Sequence, residues 1–229
     1  MLWREIPDRD RVRRLMDDPG GFLDHMDAAK VERACLINYV APEVMGFTEA
    51  VNGFVAGFAK ADRKRLIPFG SVHPKRTKNA KRDVERLASK LEMAGMKIHP
   101  PHQLFAANAY VDGRLPALRT IYKTAEQIGM PVMVHTGTSI FPGARSKYGN
   151  PIDLDDVAQD FPDLTILMAH GGRPLWCVEE IRDKVLFGSD WPAPGIPGIR
   201  ENLDAIRALP LSPATREAIL VKNAERILA

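Results

Sequence analysis

Four histidines of this 229-residue chain close short apolar runs: His73 after LIPFGSV, His99 after GMKI, His135 after VMV and His170 after ILMA; Asp190 closes another, KVLFGS. Imidazole nitrogen and carboxylate oxygen suit a divalent ion such as zinc, and catalytic sites commonly use three protein ligands plus an open position for water. Such an ion turns bound water into a nucleophile near neutral pH. An imidazole beside it acts as general acid or base, because its pKa lies near the working pH. His135, His170 and Asp190 form the strongest set. Taken singly, a histidine after a strand is an ordinary hydrogen-bonded loop residue; several at equivalent points of successive units point into one shared mouth. Lys97 and His99, in GMKIHP, are weaker candidates for holding an anion there, and Arg173 and Trp176, just after HGG, could face a substrate's carboxylate or ring. Arg145 and Tyr148 lie on the long segment after His135 and would belong to a lid.

These groups need a scaffold that brings distant strand ends together. VERACLI (31–37), RLIPFGSV (65–72), GMKI (95–98), PVMV (131–134), LTILMA (164–169) and KVLF (184–187) read as strands, most of them continuously apolar, as strands of a parallel sheet covered on both faces are. Amphipathic stretches of helical length precede three of them: TKNAKRDVERLASKLEMA, LPALRTIYKTAEQIG and DLDDVAQDFPD. Strand, loop, helix, strand is the grammar of βα repeats. Measured between Ile37, His73, His99, His135, His170 and Asp190, the intervals are 36, 26, 36, 35 and 20 residues. The last is the outlier: GGRPLWCVEEIRD offers barely two helical turns before KVLF. The Pro- and Gly-rich stretches 136–151 and 191–200 follow strands and read as loops, where α/β barrels carry their active sites.

Composition sets broad bounds. An apolar content of 45% supports a full core, and one domain over 1–229 is the expected organisation. Lys and Arg total 32 against 29 acidic residues, a net charge of +3 with both signs interspersed, which names no macromolecular partner. The basic run HPKRTKNAKR (73–82) has no interleaved aromatics for stacking, so nucleic acid is not expected. The N-terminal stretch is charged and no run approaches the roughly 20 apolar residues of a membrane span, so a cytoplasmic protein without a membrane partner is expected. Cys35 and Cys177 lie far apart without a CxxC pattern and read as reduced thiols.

The segments FLDHMDAAKVERACLINYV, PFGSVHP, GMKIHP, PVMVHTGTSIFPGARSKYGNPI, LMAHGGRPLW and KVLFGSDWP, in this order, resemble the amidohydrolase superfamily, in its branch of amidohydrolase-related metal-dependent hydrolases and decarboxylases. The resemblance implies a distorted (β/α)8 barrel. It makes His135 the metal-binding histidine of the fifth family strand and Asp190 the aspartate of the eighth, which binds metal and orients or deprotonates water. His170 matches the sixth-strand histidine, an acid/base or substrate-polarising group. The implied cofactor is a divalent metal, with zinc expected; the implied partner is a small-molecule substrate, and exposed sheet edges favour a homodimer.

Two departures accompany the match. The family's first-strand His-x-His pair has no counterpart, His25 being a poor substitute on a predicted helix, and the interval from His170 to Asp190 lacks room for the seventh-strand region. Cys177-Val178-Glu179-Glu180 therefore reads as a splice, and about six of eight barrel strands are expected in a truncated or incompletely represented family member. The leading functional expectation is metal-activated water attacking an amide, ester or lactone. The alternatives are nonoxidative decarboxylation of an aromatic or enoic acid at the same site, and a degenerate barrel that binds without turnover.

Overall fold

Five short parallel strands form one sheet in a computed structural model that describes residues 8–172, 182–193 and 195–228. Helices α1 (Arg9–Asp17) and α2 (Pro19–Ala29) come first. Strands β1 (Ala34–Ile37), β2 (Leu66–Gly70), β3 (Gly95–Ile98), β4 (Val132–His135) and β5 (Ile166–Ala169) then follow in sequence, and their spatial order is also β1-β2-β3-β4-β5. Between them lie α3 (Pro42–Met45), α4 (Ala50–Ala59), α5 (Ala80–Ser89), α6 (Pro100–Gln103), α7 (Pro116–Gln127) and α8 (Asp153–Asp160). The strand order never reverses, and parallel crossovers are right-handed, so successive crossovers cover the same face. A doubly wound sheet reverses its order and is covered on both faces. The arrangement is an incomplete (β/α)8 barrel.

Strand periodicity decides which residues meet the helices. Met96 and Ile98 of β3 and Val132 and Val134 of β4 belong to the main core, with Val84 and Leu87 of α5, Leu118 and Ile121 of α7 and Val157 of α8. Their alternates, Gly95, Lys97, Met133 and His135, therefore take the opposite face. In α7 the buried residues Leu118, Ile121, Tyr122 and Ala125 recur at helical spacing, and Pro116 opens the helix where its missing N–H is harmless. β2 and β3 are buried along their whole length, whereas no residue of the outer strands β1 and β5 is fully buried.

The ends of β2 and β3 are fastened by side chains. Asn52 of α4, itself buried, accepts from the Ser71 N–H at 2.8 Å and donates to the Ser71 carbonyl at 2.9 Å. The Ser71 hydroxyl in turn donates to the Lys97 carbonyl at 2.9 Å. Removing the amide leaves a buried N–H and a buried C=O unsatisfied, each costing roughly 1 kcal/mol or more. Asn52→Ala should therefore lose about 2 kcal/mol of stability, read as a lower urea midpoint with an unchanged m-value; an unshifted midpoint would show that Ser71 finds other partners.

The chain comprises two compact units, one from Ala34–Trp176, which holds the sheet, and one from Met1–Arg33 with Cys177–Ala229. The second contains α1 and α2, and then α9 (Ile199–Ala208), α10 (Pro213–Glu217) and α11 (Asn223–Leu228). Its apolar centre joins Ala29, Ile199 and Leu203 to Val31, Phe187, Trp191 and Leu220. The expected strand KVLF is not one. Lys184 ends a 3₁₀ turn, and the backbone beyond it bonds to helical groups instead of a neighbouring strand: Asn223 Nδ2 donates to the carbonyls of Arg182 and Val185, and Phe187 N–H to the Ile219 carbonyl. Five strands thus replace the expected six among the described residues. None of the described helices is long and apolar enough to cross a membrane.

Candidate functional site

The strand register accounts for the first part of the site. Lys97 pairs with Met133 and Ile98 with Val134, so one further step sets His99 opposite His135. Their rings stack with centroids 3.9 Å apart and planes 16° from parallel. Pro100 and Pro101 follow His99 and open the one-turn helix α6, which turns His102 back onto His99 at 3.6 Å and 14°. Three imidazoles are therefore layered in the order His102, His99, His135. Tyr39, just beyond β1, lies against the first two rings at 5.6 and 4.6 Å.

His135 also pairs with Ala169 across β4 and β5. Thr136 secures that end, its hydroxyl and N–H both donating to the Ala169 carbonyl. The next residue is His170, whose Nε2 lies 3.1 Å from His135 Nδ1. Its backbone is left-handed, with φ of +67°. A non-glycine residue there costs of order 1 kcal/mol, and such strain gathers at functional sites. Asp190 shares the feature at φ +55°. Among the described residues the other non-glycine positions with this backbone are Asp8, Lys30, Glu92 and Leu104, and three of these four sit at helix caps.

Burial sets the charge state of the cluster. His102 is pushed down to about 4, first by burial and then by the Lys97 ammonium. His135 falls to about 3, from burial, Lys97 and His170 in that order. Burial lowers His99 further still, with His135, Lys97 and His102 adding to it. These rings are neutral at pH 7. Lys97, 4% exposed, contributes to the lowering of all three.

His73, expected in the same mouth, is outside the stack. It is buried against Phe105, its Nδ1 accepting from the Lys75 N–H at 3.3 Å and its Nε2, 3.7 Å from Glu43, making no hydrogen bond. Burial pushes it down to about 4 against the opposing pull of Glu43. A folded pKa below the unfolded 6.5 means that the unfolded chain binds the proton more readily, so this stability is complete above pH 6.5 and fades as pH falls toward 4. His73 alone should remove roughly 2 kcal/mol between pH 7.5 and 5, and His102 shifts in the same direction. The urea midpoint of chelator-treated protein should fall across that interval, and His73→Leu should fall less steeply; parallel slopes would refute the assignment.

His135 Nδ1 and His170 Nε2 share a hydrogen bond at 3.1 Å, a separation that two ligands, each about 2.1 Å from one ion, can also have once that proton is displaced. They fit as a pair. Among the described residues no group of three or more His, Cys, Asp and Glu side chains converges on a metal-sized point. Asp190, in the other unit, is exposed and backbone-anchored there: Asn202 Nδ2 donates to the Ser189 carbonyl, and the Trp191 ring lies against Phe22 and His25 of α2. Arg173, Trp176 and the 177–180 junction lie outside the described residues. The expected lid segment is tied down by a bond from Arg145 N–H to the Pro101 carbonyl, and Ser146–Gly149 forms a 3₁₀ turn that includes Tyr148.

Tyr39, His102 and Ser139 were not anticipated. Tyr39 Oη lies 2.9 Å from His102 Nδ1, and His102 Nε2 lies 2.7 Å from Ser139 Oγ. The signal was the second histidine of HPPHQ, one helical turn beyond His99.

Several solved structures share the fold. A 5-carboxyvanillate decarboxylase from Novosphingobium aromaticivorans, with bound manganese and 3-methoxy-4-hydroxy-5-nitrobenzoic acid, aligns at 16% identity over 95% of this chain and 84% of its own, with a TM-score of 0.69. For 2,6-dihydroxybenzoate decarboxylase from Rhizobium the values are 15%, 91%, 87% and 0.69. For 4-oxalomesaconate hydratase from Rhodopseudomonas palustris they are 14%, 93%, 83% and 0.64. No curated protein sequence matches significantly. The amidohydrolase family model matches residues 2–182 and 177–229 as two segments, which meet at the suspected splice. With nearly every residue inside one segment or the other, the chain belongs to the amidohydrolase family.

Proposed function

We propose that the chain is a metal-dependent enzyme that removes CO₂ from a small hydroxylated aromatic carboxylate. The observation that carries this reading is the cluster at the strand ends: buried Lys97 and the layered rings of His102, His99 and His135, with His170 Nε2 3.1 Å from His135 Nδ1. Such a face offers an imidazole nitrogen to an ion and hydrogen-bond donors to the oxygen atoms of a carboxylate. The decarboxylases that share the fold act on substrates of this class, and the one from Novosphingobium binds manganese.

His135 and Asp190 are assigned as metal ligands, Asp190 by its place in the family motif. A divalent ion bound there would polarise the substrate's oxygen atoms; zinc follows from the donor types and manganese from the relative. His170 donates a hydrogen bond to a substrate oxygen and, with Asp190, completes the catalytic set. Lys97 and His99 bind the substrate's anionic edge, joined by Arg173 and Trp176. The bond to CO₂ breaks, its electron pair stays on the ring carbon, and one proton adds there. Residues 1–229 act together as one domain, with a small-molecule substrate and a second copy of the chain as partners in the cytoplasm.

The second reading, attack of metal-activated water on an amide, ester or lactone, uses the same residues and is favoured by the family match itself. Supplying the protein with Mn²⁺ or Zn²⁺ and offering 2,6-dihydroxybenzoate, 5-carboxyvanillate and a lactone panel separates the two. CO₂ release matched to carboxylate loss is expected. Lactone opening without CO₂ would replace the first reading by the second, and inertness toward the whole panel would leave the noncatalytic barrel.

A further inference from the structure

Decarboxylation needs one proton at carbon per turnover, and the chain Tyr39–His102–Ser139 has the form of a device that supplies one. His102 is 1% exposed, yet both of its ring nitrogens have hydroxyl partners, Tyr39 Oη at 2.9 Å and Ser139 Oγ at 2.7 Å. A neutral imidazole carries one N–H and one lone pair, while a hydroxyl both donates and accepts. Two hydrogen-bonding arrangements therefore satisfy the same heavy atoms. In one, Tyr39 donates to Nδ1 and Nε2–H donates to Ser139. In the other, Ser139 donates to Nε2 and Nδ1–H donates to Tyr39. Neither places a charge on the buried ring, whose low pKa disfavours the imidazolium.

Tyr39 and Ser139 are both partly exposed, so water can return a proton to Tyr39; Ser139 is set apart by its place beside His135. Ser139 lies four residues beyond His135, whose Nε2 is 3.3 Å from the carbonyl of the intervening Thr138. The Phe141 N–H donates to Ser139 Oγ at 3.3 Å, occupying one lone pair and leaving the hydroxyl proton free to point elsewhere.

We propose that Ser139 is the residue that protonates the substrate carbon, recharged through His102 from Tyr39. As CO₂ departs, the pair left on carbon takes the Ser139 hydroxyl proton. The Nε2 proton moves to Oγ, the Tyr39 proton moves to Nδ1, and Tyr39 regains a proton from solvent. The pass leaves the ring protonated on Nδ1. Once product leaves, Ser139 passes its proton to Nε2 and takes one from water, while Nδ1 returns its proton to Tyr39 and Tyr39 releases one to solvent. This restores the starting arrangement with one net proton drawn from water per turnover and no oxidant or co-reactant. Ser139 is the catalytic residue of this set; His102 and Tyr39 act through it.

This inference rests on the proposed decarboxylation, so its test has an arm that needs no turnover. The ring nitrogens of ¹⁵N-histidine-labelled protein are observed by NMR, with His102→Gln assigning the signals. In the unaltered chain both His102 nitrogens should give shifts averaged between protonated and bare limits. Tyr39→Phe removes the acceptor from Nδ1 and should lock the proton on Nε2; Ser139→Ala should lock it on Nδ1. Opposite locking supports the relay, and the same single tautomer in all three proteins overturns it.

In the kinetic arm, with Mn²⁺ and 2,6-dihydroxybenzoate or 5-carboxyvanillate, Ser139→Ala and His102→Gln should each lower kcat about 10²-fold, with KM changed less than about threefold. Unchanged kcat overturns Ser139 as the donor. If the unaltered protein turns over neither carboxylate, the functional reading fails, and the NMR arm still decides whether the relay exists.

Discussion

His135→Ala is expected to lower kcat/KM for CO₂ release by at least about 10³-fold, a loss of about 4 kcal/mol in transition-state stabilisation. The size follows from two roles held by one ring. Its Nδ1 is the partner of His170 at 3.1 Å, so its removal takes away a proposed metal ligand and leaves His170 without the contact that orients it. Its face covers His99 at 3.9 Å, so His99 also loses a wall. The fold should survive, because His135 lies on the sheet face opposite the main helical core and is not part of that core; circular dichroism and the urea midpoint check this. His73→Gln is the matched control, being a buried histidine outside the stack, and should retain activity within about threefold. Activity in His135→Ala close to that of the control would remove this residue from the chemistry.

Gly95→Val should have the largest effect on stability, at least about 3 kcal/mol, beyond the usual range for a single added methylene. Gly95 is paired with Phe69 across β2 and β3, and a Cβ at this position would lie 2.3 Å from Phe69 Cε1 and 2.5 Å from Cζ. The Phe69 ring is fully buried and the strand is buried throughout. A flexible side chain could swing aside, but an enclosed aromatic ring cannot do so without opening the sheet. Combining Gly95→Val with Phe69→Ala should therefore cost less than the sum of the single changes, the mark of two residues competing for one volume. Additive losses, or a valine variant with an unchanged midpoint, would contradict this packing. The consequence reaches the site, since Lys97 and His99 follow on the same strand face.

How far the sequence was legible varied with the range of the interaction. GMKI matches β3 at both ends, VERACLI, RLIPFGSV and LTILMA contain β1, β2 and β5, and PVMV overlaps β4, which runs one residue further to His135, because a continuously apolar run between turn residues reports burial on both faces, a local property. Spacing then placed His99, His135 and His170 at strand ends, and register brings them together. KVLF failed for the complementary reason. A strand exists only through a neighbour's hydrogen bonds, and Asn223 and Ile219, more than 30 residues later, satisfy this backbone instead. His102 escaped notice because strand-end spacing does not register a one-turn helix that folds a residue back over its own strand. Tyr39 and Ser139 were invisible singly; their meaning comes from lying on either side of one imidazole, 63 and 37 residues away in the chain.

Elemental analysis is the direct test of the proposed binding of a divalent ion by His135 and Asp190. Protein loaded with Mn²⁺ or Zn²⁺ and then dialysed against metal-free buffer is compared with His135→Ala and Asp190→Ala, all three shown to be folded. About one retained ion per chain is expected in the unaltered protein and less than about a tenth of that in each variant, since loss of a ligand from so small a set weakens binding severely. A full ion retained by both variants, or none held by the unaltered protein, would contradict it.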